Sequence, residues 1–156
     1  MYTTDALDPR FIEQLIAVFE HQIPFNHLLG LRVEHVRADS VGARLAMRAD
    51  LVGHFLHQRL HGGVISAVLD TMGGLAVLAA IGARHREDPV DKLIARFSKL
   101  GTIDLRVDYL RVATGAQFTA TANVMRLGSR VASTRMEFRD DHGKLLCTGS
   151  AAYIVS

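Results

Sequence analysis

The segment His61-Gly62-Gly63-Val64-Ile65-Ser66-Ala67-Val68-Leu69-Asp70 holds the residue types best suited to chemistry in this chain. If His61-Gly62-Gly63 opens a helix, the first backbone N–H groups have no intrahelical partner and the positive end of the helix dipole lies beside them. The glycines then admit a ligand close to the main chain. Donors of this kind stabilise a carbonyl oxygen that gains negative charge on attack, and losing one costs about 3 kcal/mol of transition-state stabilisation. Asp70 follows nine residues after His61, roughly 13 Å along a helix axis at the standard rise. A carboxylate in an otherwise uncharged helix is a candidate general base or nucleophile. Taken alone it reads first as a helix aspartate bonded to nearby backbone or to Thr71; the glycine turn beside it shifts the balance toward chemistry. The separation keeps Asp70 from serving the same carbonyl as its own Gly62. A two-fold dimer would instead bring the aspartate of one copy opposite the glycine turn of the other.

The remaining reactive residue types exclude more than they suggest. His54, His57 and His61 are closely spaced, but no carboxylate accompanies them, so no metal site is expected. Cys147 is the single cysteine and sits in an apolar run. It reads as a small buried hydrophobe and fits a reduced, cytoplasmic compartment. The opening Met1-Tyr2-Thr3-Thr4-Asp5-Ala6-Leu7-Asp8 lacks the basic start and apolar stretch of an export signal. Net charge is +2 and the isoelectric point is about 9.0. Lysine occurs only at Lys92, Lys99 and Lys144, and the arginines are spread among acidic residues. Neither nucleic acid nor a membrane is an expected partner.

These residues need elements to position them. A single domain spanning 1–156 is expected, with an apolar share of 49% to fill one core. Asp8 caps and Pro9 opens an N-terminal helix over about 8–23, with Phe11, Leu15, Val18 and Phe19 on one face and Pro24 as its end. Residues 23–31 read as a turn-rich apolar linker. Strand alternation follows over 31–36 and 43–48, around an Ala38-Asp39-Ser40 turn. The stretch over about 62–82 is nearly uncharged, and hydropathy alone would make it a membrane span. Its glycines and the central Asp70 favour a buried central helix wrapped by a sheet. A short helix is expected over 91–100. Period-two patterns then return over 102–110, 117–125, 130–139 and 144–155, separated by turn signals. The result is an α+β fold, with a curved antiparallel sheet of about six strands wrapped around one long helix.

At this point the residues match a known pattern. His61-Gly62-Gly63 with Asp70 nine positions on and then Gly73-Gly74 resembles the PaaI-like hotdog-fold acyl-CoA thioesterases. The Leu60-to-Leu75 run is similar to their YigI-like branch, which acts on medium- and long-chain acyl-CoA. The likeness extends to Ile23-Pro24-Phe25, Leu29-Gly30-Leu31, Asp104-Leu105-Arg106-Val107-Asp108-Tyr109-Leu110 and Asp140-Asp141-His142-Gly143. It implies hydrolysis of an acyl-CoA thioester, with no cofactor because coenzyme A is part of the substrate. It also implies a homodimer, with a dimer of dimers as the larger option. Gly62 N–H, next to Gly63, would polarise the thioester carbonyl while His61 shapes the turn and Asp70 of the partner subunit acts as base or nucleophile. Thr102 matches a position that orients the attacking water, and reads equally as an ordinary strand opening. Relatives carry an asparagine shortly before the histidine; here that stretch is Gly53-His54-Phe55-Leu56-His57-Gln58-Arg59-Leu60. His54, His57 or Gln58 would take its place, or else lie on a surface loop. The resemblance places phosphate contacts at Arg126, Ser129 and Arg130, where solvated strand-end charge is the other reading. The acyl chain is expected beside Leu69, Met72 and Leu75. Two other activities remain on the same scaffold: a non-catalytic acyl-CoA sensor, and a hydratase or dehydratase acting on the acyl chain.

Overall fold

The computed structural model describes residues 7–156; the opening stretch 1–6, where an export signal was sought, lies outside the described residues. Helix α1 (Pro9–Ala17) starts as its sequence dictates, with Asp8 Oδ1 accepting Arg10 N–H at 2.8 Å and Pro9 in the first turn. Its buried face is Phe11 and Leu15. The helix does not continue evenly to 23. It widens into a π-helical turn over Val18–Gln22, and Pro24 opens a new helix, α2 (Pro24–Leu29), where a linker was expected. Proline suits a first helical turn as well as it ends a helix, and Gly30 at φ 74° closes α2 in the left-handed conformation. The π-turn points Glu20 inward. Its carboxylate accepts Val33 N–H at 2.6 Å and an Arg32 N–H at 3.0 Å, tying the end of α1 to the first strand.

Strands β1 (Arg32–Val36) and β2 (Val41–Ala46) form a hairpin. A two-stranded ribbon, β3 (Val52–His54) and β4 (Arg59–Leu60), follows where no strand was expected. Helix α3 (Gly62–Arg84) comes next, then α4 (Val90–Ala95) with a 3₁₀ turn over Arg96–Lys99. The chain ends in β5 (Gly101–Tyr109), β6 (Gln117–Leu127), β7 (Val131–Asp140) and β8 (Leu145–Ile154). The main sheet has six antiparallel strands in the order β1-β2-β6-β7-β8-β5. The crossing through α3 and α4 therefore delivers β5 to the sheet edge beside β8, the last strand.

Helix α3 is long and apolar enough to cross a membrane, but 67% of its most apolar window is buried by the protein's own sheet and helices. Val68, Leu69, Met72, Leu75 and Val77 have no exposed surface. Burying each such side chain contributes about 1.5–3 kcal/mol, which accounts for a helix hydrophobic on every side. Gly82 makes the contact with α1 possible, because a Cβ there would collide with the Phe11 ring.

Strand β5 carries a bulge. Thr102 pairs with Tyr153 and Asp104 with Ala152, so Ile103 is the extra residue. Tyr153 is buried and faces α3, and the bulge turns Thr102 to the same face.

Candidate active site

At the start of α3, His61 is the N-cap, in an extended conformation, and its Nδ1 accepts the Gly63 N–H at 2.8 Å. The Val64 and Ile65 N–H groups both point to His61 O. The first-turn donors are thus consumed by the cap except for the Gly62 N–H, which has no partner among the described residues. The Gly62 carbonyl accepts the Tyr109 hydroxyl at 2.7 Å. Leu51 O accepts the His61 N–H at 2.9 Å, so β3 and the turn before it hold the cap from behind. A cleft of about 350 Å³ opens here, with Gly62, Ile65, Arg59, Tyr109 and Arg111 among its walls.

Asp70 lies farther along the same helix and is half-buried. Its Oδ1 accepts the Thr102 hydroxyl at 2.8 Å and faces the Tyr153 hydroxyl at 3.2 Å; the same phenol is 2.8 Å from Asp70 O. Burial first, and then the Asp70 charge, push the Tyr153 phenol well above its ordinary range, so it keeps its proton and donates. The neighbouring Thr71 hydroxyl does not serve Asp70. It donates to Asn26 Oδ1 at 3.0 Å, and Asn26, 2% exposed, donates to Phe19 O at 3.0 Å. Asp70, Thr102, Tyr153 and Asn26 line a second cleft, of about 170 Å³, with apolar walls from Phe19, Ile23, Phe97 and Leu100.

Gly62 and Asp70 are eight residues apart on one continuous helix, about 12 Å at the standard rise. Their clefts share no lining residue. The protomer thus has an unpaired backbone donor at one place and an anchored carboxylate at another.

The other residues singled out from sequence fall outside both clefts. His54, His57 and Gln58 are exposed on the β3–β4 ribbon. The two imidazoles lie 4.9 Å apart, and the Gln58 amide is spent on Phe55 O at 2.8 Å, closing its own loop at a positive φ of 49°. Arg126, Ser129 and Arg130 are exposed around the β6–β7 turn. That turn is held to the far end of α3 by Arg84, which donates to Leu127 O and Gly128 O. Leu69 and Met72 are 0% exposed. Leu69 packs toward Gly149 and Met136, so the apolar surface next to Asp70 comes from the π-turn and α4 region instead. Cys147 is buried, which pushes its thiol up to about 11 and leaves it inert. The sequence reading missed Tyr153, Tyr109 and Asn26. The pairing of Thr102 with Tyr153 is set by a bulge, and Asn26 is brought in by a π-turn, neither of which has a local signature.

An antiparallel six-stranded sheet folded around one long helix, with a glycine turn at the helix start, defines the hotdog fold. Residues 57–147 match the thioesterase superfamily model, and the chain belongs to that superfamily. It is 36% identical over 138 residues to the medium/long-chain acyl-CoA thioesterase YigI of Escherichia coli (strain K12), covering 88% of this chain and 89% of that protein. It is 39% identical over 140 residues to the protein of that name from Salmonella typhimurium, with the same coverage. A crystal structure from Shewanella oneidensis, described as related to the thioesterase superfamily, superimposes with a TM-score of 0.89 at 38% identity. The match covers 96% of this chain and 99% of that one.

Proposed function

We propose that this protein hydrolyses acyl-CoA thioesters to the free acid and coenzyme A, at a site completed by two copies of the chain. The observation that carries this reading is the split on α3: the free Gly62 N–H and the anchored Asp70 carboxylate are too far apart to act together within one protomer.

Edge strand β5 supplies the means of pairing. Antiparallel pairing of two β5 strands about Leu105 sets Thr102 of one copy opposite Asp108 of the partner subunit. Tyr109, bonded to the Gly62 carbonyl, then stands beside the partner's Thr102 and Asp70. In the complete site, Gly62 N–H donates to the thioester oxygen. Asp70 of the partner subunit takes a proton from water as the water oxygen bonds to the carbonyl carbon. The tetrahedral intermediate collapses with cleavage of the C–S bond, and the proton passes to the departing thiolate. His61 and Gly63 hold the turn, and Thr102 holds the carboxylate or the water. No metal or cofactor enters this chemistry.

Around the centre, the exposed His54, His57 and Gln58 flank the approach to the glycine turn. Arg126, Ser129 and Arg130 take the coenzyme A phosphates, to which guanidinium groups pair bidentately. Leu69 and Met72 back the acyl site from the core. The relatives' names support a medium- or long-chain acyl group. The buried, unpaired Cys147 supports a reducing, cytoplasmic setting, and dimers pairing into tetramers is the larger assembly on this reading.

The test is thiol release across short, medium, long and aromatic acyl-CoAs, with Asp70→Asn beside the native chain. Asp70→Asn should keep the fold and lower turnover about 10²–10⁴-fold. Full activity in that variant refutes the mechanism. Acyl-CoA bound without thiol release would make the protein a sensor, and enoyl product from 3-hydroxyacyl-CoA would make it a dehydratase.

A further inference from the structure

We infer that Tyr153 is a positioning residue for the reaction: with Thr102 it anchors Oδ1 of Asp70, leaving Oδ2 as the oxygen that takes the proton from water. This rests on the reading of Asp70 as the base.

Three observations carry it. The Tyr153 hydroxyl stands 3.2 Å from Asp70 Oδ1 and 2.8 Å from Asp70 O, and Thr102 donates to the same Oδ1 at 2.8 Å. The single phenol proton is shared between Asp70 O, the shorter contact, and Oδ1, so both hydroxyls address one carboxylate oxygen, and Oδ2 accepts no hydrogen bond from the described residues. Tyr153 also reaches Asp70 only through a slot in the helix. Gly73 lies one turn beyond Asp70, and a Cβ there would fall on the phenol oxygen. Finally, among the described residues Asp70 and Tyr153 are the only titratable side chains lining the cleft. The helical segment 19–26 contributes Phe19, Ile23 and Asn26, the α4 region Phe97 and Leu100, and β5 Gly101 and Thr102. No other charge there competes to orient the carboxylate.

A carboxylate free to rotate about its last bond exposes either oxygen and loses the aligned geometry that proton abstraction needs. Donors to one oxygen fix the plane of the carboxylate. Tyr153→Phe keeps the ring that fills the slot above Gly73 and deletes the donor. It should lower kcat about tenfold with KM little changed. In the Asp70→Asn background the same substitution should cause no further loss, since its effect passes through the carboxylate.

Unchanged kcat overturns the proposal, as does an equal loss in the Asp70→Asn background, which marks a structural role alone. Full activity of Asp70→Asn by itself is a different failure, that of the base. If the Phe variant does not fold, 4-fluorophenylalanine placed at 153 alone fills the place of the hydroxyl without donating. The same fall in kcat is expected, and native kcat overturns the assignment.

Discussion

Gly62 keeps one free backbone donor because its neighbours consume the others: His61 Nδ1 takes the Gly63 N–H, and His61 O takes those of Val64 and Ile65. The residue can be tested with the helix geometry kept, although a Cβ there meets the Tyr109 ring at 3.3 Å and that ring must shift slightly. Proline is favoured at the first helical position, where the missing N–H has no intrahelical use, and it requires the preceding residue to be extended, as His61 is at φ −65° and ψ 132°. Gly62→Pro should therefore fold and dimerise normally while kcat falls about 10²–10³-fold. Steady-state thiol release with circular dichroism checks both halves, and native turnover would remove Gly62 from the mechanism. At this scale much was legible in the sequence. A histidine and two glycines before a long apolar run announce a capped helix with spare donors, and Asp70 stands out as its only charge before Arg84. What was not legible is how the cap divides the donors. That depends on the tautomer and rotamer of His61, so Gly62 and Gly63 look alike in sequence and differ in the fold.

Among the elements, the period-two and apolar patterns gave the strands and the central helix because each has a face buried against the other. Two of the failures lie where a ladder or a helix carries one extra residue. The bulge at Ile103 reverses the parity of β5, so Thr102 faces α3 together with Leu105 and Val107, against strict alternation. The π-turn over Val18–Gln22 and the helix after Pro24 bring Asn26 against α3, in a segment whose composition reads as a linker. Asn26 is the pin between these elements: one side-chain amide satisfies both the Phe19 carbonyl and the Thr71 hydroxyl. Asn26→Ala leaves both without their partner and should cost about 2 kcal/mol. For a chain of 156 residues that lowers Tm by roughly 4–8 °C. A thermal melt checks this, and an unchanged Tm would show that the pin is dispensable.

For the whole molecule, the decisive feature is the separation of two reactive groups within each copy. One helix carries a donor at its start and a carboxylate two turns on, opening into clefts with no wall in common. On the proposed function, edge strand β5 is the side on which a second copy closes that separation. If the site is shared, two dead variants complement each other: a mixed dimer of Gly62→Pro and Asp70→Asn contains one site built from the intact Gly62 of one chain and the intact Asp70 of the other. Random reassortment makes half the dimers mixed, with one working site of two in each, so the mixture should regain about a quarter of native turnover. The direct measurement is therefore acyl-CoA hydrolysis after co-refolding equal amounts of the two variants. Recovery to about that level is what a shared site predicts; activity no higher than that of the separate variants would contradict it.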